Sequence, residues 1–283
     1  MSIELDRPSR FIESRDGTRI AVFSSGDGPP VVLVHGASAD HTTWRNTGPV
    51  LARTFRIHAI DRRGRGASGD GQGEYAIERE FEDVAAVADA LAAESGRPVA
   101  VVGHSYGGRC GLGAALVTEG IGPVVTYEGA PSPAGATAER AYRPSGVEDR
   151  IARLIDAGDR DAALATFMRE IVRMPEAELA AYKADPVWPA RAAAVHTTLR
   201  ELAGEASPAA SLDALSSVRQ RVLQILGGDS AEAFHVATEA LNARLRDGRV
   251  VTIAGARHAA HHTHVAEFTA AIRAFLDEAS VAD

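Results

Sequence analysis

A chain of 283 residues, 45% hydrophobic and 24% charged, is long enough to bury a large core and too balanced in composition to be disordered. Its formal net charge of −8 argues against nucleic acid as a partner, and its single cysteine, Cys110, excludes an intrachain disulfide. Met1 to Arg10 is polar, without the apolar stretch of a signal peptide, and no apolar run approaches bilayer length; the expected setting is the reducing cytoplasm, with no membrane partner.

In chain order, Arg10–Ile20 and Thr18–Ser24 read as strands joined by the Asp16-Gly17 turn, a hairpin signal. Val31–Val34 is a short, wholly apolar run, as expected of a strand buried on both faces, and it ends in His35-Gly36-Ala37-Ser38. Phe55 to Ile60 is the next strand and runs into the glycine- and arginine-rich segment Asp61–Gly69. Within that segment Asp61, Arg63 and Ser68 are expected to brace the turn by local hydrogen bonds. Glu78 to Glu94 places Phe81, Val84, Val87, Ala88 and Leu91 at helical spacing. Strands follow at Val99–Val102, Ile121–Tyr127, Arg221–Leu226 and Arg249–Ile253, with helices near Ala231–Arg246 and Val265–Ala279. Strands alternating with helices predict an α/β fold, a parallel sheet covered on both faces, with the loops after the strands gathered along one edge.

Between Glu128 and Arg221 the alternation stops. Pro131–Pro144 reads as a linker, and the stretch beyond it places apolar residues such as Leu164, Phe167, Met168 and Ile171 at helical spacing. The expected division is a sheet core, residues 1–130 and 218–283, with a helical insertion over 131–217. An insertion at that edge is placed to cover a site there.

The chemistry gathers at the same edge. Gly103-His104-Ser105-Tyr106-Gly107 lies between a strand and a helix, a turn that presents the Ser105 hydroxyl at the strand tip with a helix N-terminus behind it. A serine needs a base, and His258, in the loop after the last strand, has an imidazole suited to that role. Glu128 and Asp229 each follow a strand and are the two candidates for the acid that orients the imidazole. His258 and His262 have i, i+4 spacing, yet no third ligand is evident, so no metal is expected. Cys110, one turn past Ser105, reads as a small core residue.

With these residues in place the chain resembles the α/β-hydrolase superfamily over nearly its whole length outside the insertion. The markers are His35-Gly36, Asp61-x-Arg63-Gly64-x-Gly66-x-Ser68, Gly-His-Ser105-Tyr-Gly-Gly and Gly255-x-x-His258, in that order and at those strand ends. The resemblance implies a mostly parallel eight-stranded sheet flanked by helices, a helical cap, and Ser–His–acid hydrolysis of an acyl bond without a cofactor. It implies Ala37 and Tyr106 as the oxyanion-hole amides. It places the usual acid where this chain has Ser230, one residue after Asp229, whereas some haloalkane dehalogenases carry a glutamate at the position of Glu128; Glu128 is favoured and Asp229 stays open. Dehalogenases and epoxide hydrolases place Asp at the nucleophile position, so Ser105 argues against both. The expected activity is cleavage of a carboxylic ester or lactone, with Trp44, Trp188, Phe167 and Met168 as candidate substrate-pocket residues. C–C bond hydrolysis, perhydrolysis, aminopeptidase action and a slow-turnover small-molecule receptor are the alternatives. A homo-oligomer is left open.

Overall fold

The computed structural model describes residues 7–134 and 144–281. Eight strands form one sheet: β1 (Arg10–Glu13), β2 (Arg19–Ser25), β3 (Pro30–Val34), β4 (Arg56–Ile60), β5 (Val99–His104), β6 (Ile121–Tyr127), β7 (Val222–Gly227) and β8 (Gly248–Ile253), in the spatial order β1-β2-β4-β3-β5-β6-β7-β8. β1 and β2 pair antiparallel, as do β2 and β4, and every later pairing is parallel. The first strand is shorter than its sequence suggests. Ser14 to Gly17 close a tight turn, with the Ser14 amide bonded to the Thr18 carbonyl and Gly17 at φ 82°. β5 runs two residues further than its apolar stretch, because Gly103 and His104 keep register with Thr126 and Tyr127 of β6.

The apolar runs sit where a two-sided sheet requires them. Val31, Val32, Leu33 and Val34 are all buried, as are Val99 to Val102. One face packs against α1 (Ile77–Ser95) through Phe81, Val84, Val87, Ala88 and Leu91, a helix stopped by Gly96 at φ 72°. The same face carries α2 (Tyr106–Ala114), with Cys110 buried in it. The other face packs against Phe268, Ile272, Phe275 and Leu276 of the final helix, Val265–Val281. No described helix is long and apolar enough to cross a membrane.

Between β6 and β7 the described residues form helices, among them Val147–Asp156, Arg160–Thr166, Glu176–Lys183, Trp188–Ala193 and His196–Gly204. Residues 135–143, within the expected linker, lie outside the described residues. The helices build an apolar cluster of their own around Ile151, Leu164, Phe167, Met168 and Trp188. A π-helical turn at Phe167–Ile171 interrupts them. Because the strands from β3 onward run parallel, the loops bearing Ala37, Asp61, Ser105, Glu128, Asp229 and His258 leave the sheet at one edge.

Candidate active site

Ser105 is held in a backbone conformation that side-chain-bearing residues rarely adopt, φ 52° and ψ −123°, immediately before α2. Its amide donates to the Tyr127 carbonyl at 2.7 Å. The turn requires its glycines for steric reasons. A Cβ on Gly107 lies 2.3 Å from the His35 carbonyl oxygen, and one on Gly103 lies 2.4 Å from the Gly107 carbonyl oxygen. Both clashes are with backbone, which has no room to yield. His35 shapes the adjoining loop. Its Nδ1 donates to the Gly36 carbonyl at 2.8 Å and its Nε2 accepts from the Arg62 amide at 3.0 Å, which assigns the tautomer.

Glu128 also has a positive φ, 50°, and its carboxylate is buried where three loops meet. Oε2 accepts from His258 Nδ1 at 2.5 Å, while Oε1 accepts from the Gly227 amide at 2.8 Å and the Ser230 hydroxyl at 2.5 Å. The imidazole is therefore paired with Glu128. Asp229 is exposed on the turn after β7, its amide bonded to the Ala256 carbonyl at 2.9 Å. The one-residue offset visible in the sequence has a direct result: Ser230 points inward and donates to Glu128, and Asp229 is exposed.

Ser105, Glu128 and His258 line one cavity of about 620 Å³. Ala37, Tyr106, Phe167, Met168 and Asp229 line it too. Trp44 and Trp188 do not, and this corrects the expectation from sequence. Trp44 is fully buried beneath the sheet beside Leu51 and Phe268. Trp188 is buried among the helices after β6, with its indole N–H donating to Asp161 at 2.5 Å. A large aromatic near a candidate site is drawn into whichever core lies closest, and sequence position does not show which way it faces.

The arginine-rich loop after β4 holds more than its own turn. Ser68 Oγ donates to the Asp61 carbonyl at 2.6 Å and Asp61 Oδ2 accepts from the Ala67 amide at 2.8 Å, while Arg63 forks onto Asp83 at 2.6 and 2.7 Å. Arg62 and Arg65 turn inward and meet Glu80 of α1 and Glu201 of the helix His196–Gly204, all four side chains at most 1% exposed. Glu201 lines the cavity. No local pattern announced this cluster. Among the described residues Asp40, His41 and Asp61 are the group close enough to share a metal ion. Their carboxylates are already occupied, Asp40 by Arg191 Nη1 at 2.7 Å and Asp61 by the His41 and Ala67 amides.

Several histidines are held neutral. Burial, reinforced by the Arg62 and Arg65 charges, pushes the His35 pKa well below its usual value. Burial does the same to His261, and burial with Arg56 lowers His58 to about 4. These groups take up protons in the unfolded chain below about pH 6.5 but not in the folded one. Their contribution to stability is therefore complete above that pH and lost as pH falls toward the folded values. Each costs about 1.4 kcal/mol per pH unit across that window. The melting temperature should hold steady near neutrality and drop steeply between pH 6.5 and 4; a flat profile there would contradict the buried neutral assignment.

Comparison with known proteins is consistent with the geometry. A stretch of 103 residues, 35% of the chain, is 42% identical to the "Probable oxidoreductase EphD" of Mycobacterium tuberculosis, covering 17% of that protein. Over 111 residues, 38% of the chain, it is 32% identical to a 2-hydroxy-6-oxo-6-(2'-aminophenyl)hexa-2,4-dienoic acid hydrolase of Metapseudomonas resinovorans, covering 37% of that enzyme. The chain thus spans well under half the length of these curated relatives. An α/β hydrolase structure from Sphaerobacter thermophilus superposes with a TM-score of 0.73 at 33% identity, over 86% of this chain and 91% of the other. Residues 31–271 match the family model described as "Alpha/beta hydrolase family", and the chain belongs to that family.

Proposed function

We propose that the protein is a serine hydrolase that cleaves carboxylic esters or lactones through an acyl-enzyme. The observation that carries the reading is the His258–Glu128 hydrogen bond, 2.5 Å long, in a cavity that the strained Ser105 also lines. Ser105 Oγ attacks the substrate carbonyl while His258 Nε2 takes its proton and returns it to the leaving alcohol. Glu128 keeps Nδ1 protonated, so that Nε2 is the free base, and balances the imidazolium that forms. The Ala37 and Tyr106 amides hold the oxyanion. Water, activated by the same imidazole, then releases the acid and regenerates Ser105.

A cavity of about 620 Å³ suits a small molecule. Phe167 and Met168 form its apolar wall for the acyl chain, and residues 131–217 act as the cap over a core of 1–130 and 218–283. The same proposal places the protein in a reducing compartment such as the cytoplasm, in keeping with its one buried cysteine.

The test is steady-state release of p-nitrophenol from a series of short p-nitrophenyl esters, run beside a lactone panel. Ser105→Ala should lower kcat by about 10⁶-fold without unfolding the protein. Sustained turnover by Ser105→Ala would overturn the reading. Negligible turnover by the unaltered protein, together with a large thermal shift on binding a small molecule, would make it a receptor.

A further inference from the structure

Two side chains that the proposed chemistry does not use grip the loop that carries His258. Tyr127 is the last residue of β6, immediately before Glu128, and His104 is the last residue of β5, immediately before Ser105. The Tyr127 hydroxyl donates to the Arg257 carbonyl and accepts from the Ala260 amide at 2.9 Å. His104 Nε2 donates to the His258 carbonyl at 3.0 Å, which requires the proton on that nitrogen. The loop between Arg257 and Ala260 is thus held at three backbone points from two neighbouring strand ends. Those ends are themselves in register, His104 opposite Tyr127.

Ring packing reinforces the grip. The His104 ring stacks on Tyr127 at 5.1 Å and lies 4.7 Å from the His258 ring, while Phe234 stacks on His258 at 4.6 Å. The loop needs such tethers because it leaves β8 through Gly255 at φ 73°, the position in it with the most backbone freedom. Burial lowers the His104 pKa well below its usual value, with the His258 charge adding to the effect, so the ring stays a neutral donor while His258 cycles its proton.

We propose that His104 and Tyr127 are positioning residues. They tie the His258 backbone to the two strands that present Ser105 and Glu128, so that base, nucleophile and acid keep one geometry through the reaction. The proposal rests on the serine-hydrolase reading above. It assigns each of these residues a task beyond filling the core: the residue before the nucleophile and the residue before the acid both hold the base.

The experiment compares Tyr127→Phe, His104→Leu and His104→Gln with the unaltered protein on a short p-nitrophenyl ester, with Ser105→Ala as control. Tyr127→Phe keeps the buried ring and removes both hydroxyl bonds; it should lower kcat about 10- to 100-fold with KM changed less than about twofold. His104→Leu should do the same, and His104→Gln, whose side-chain N–H can still reach the His258 carbonyl, should recover most of the loss. A substrate-independent readout accompanies the kinetics. The downfield proton signal of His258 Nδ1–H, bonded to Glu128, should be sharp in the unaltered protein and broadened or lost in Tyr127→Phe. Unchanged kcat with an unchanged proton signal in Tyr127→Phe overturns the proposal, as does a His104→Gln variant no better than His104→Leu. If Ser105→Ala retains turnover, the serine-hydrolase reading itself has failed. If His104→Leu does not fold, Tyr127→Phe and the proton signal decide the matter alone.

Discussion

Glu128→Gln lowers kcat by about 10⁴-fold, while the change caused by Asp229→Asn stays within the roughly 0.5 kcal/mol typical of an exposed position. The difference follows from hydrogen-bond polarity. Glu128 Oε1 accepts from the Gly227 amide and the Ser230 hydroxyl, and Oε2 accepts from His258 Nδ1. A glutamine keeps its carbonyl oxygen toward the two donors, which leaves its NH₂ facing Nδ1. That nitrogen must then accept, the proton moves to Nε2, and the imidazole presents a donor to Ser105 where a base is needed. Fold and substrate binding are preserved, so the loss falls on kcat. Asp229 is an exposed residue at the rim of the cavity, in a turn closed by backbone bonds. Steady-state kinetics of the two variants settle the assignment: a damaging Asp229→Asn with a benign Glu128→Gln would assign the acid to Asp229.

Glu201→Gln destabilises the protein by about 3–5 kcal/mol, the cost of leaving a buried charge without its partner. Glu201 contacts Arg62 and lies 2.5 Å from Arg65 Nη2, and Glu80 lies 3.5 Å from Arg62 Nη1. Two arginines and two glutamates balance one another with almost no exposure to water, and removing one carboxylate leaves a net positive charge in the interior. By contrast Arg200→Ala, which breaks a partly exposed pair with Asp70, should cost no more than about 1 kcal/mol. Urea unfolding of both variants checks the contrast, and equal, small losses would refute it. On the proposed reading the effect should also reach catalysis, because the Arg62 guanidinium lies 4.9 Å from the centre of the Tyr106 ring, next to Ser105.

The features legible in the sequence were those with a short-range cause. A wholly apolar run of four residues has few homes other than a two-sided sheet, and glycines flanking a serine between strand and helix report a turn that admits no Cβ. The loop position of His258, after the last strand, is legible in the same way. The sequence favours Glu128 and leaves Asp229 open, because the choice depends on which way a tight turn faces; the turn after β7 brings Ser230 onto Glu128 and leaves Asp229 exposed. Trp44 and Trp188 were misplaced because bulk and apolarity do not distinguish a pocket wall from a core. The ion cluster had no signal at all, since Arg62 and Glu201 stand 139 residues apart and meet only after the helices beyond β6 dock.

The position of Glu128 on β6 also bears on how the protein is made. Ser105 and Glu128 sit at the tips of adjacent paired strands, and both are synthesised long before His258, which follows Glu128 by 130 residues. At ordinary rates of chain growth that interval is on the order of ten seconds. For that time the growing chain carries the proposed nucleophile and acid without the proposed base. On the proposed reading Ser105 gains its base only when β8 joins the sheet, so the final stretch of the chain completes the site.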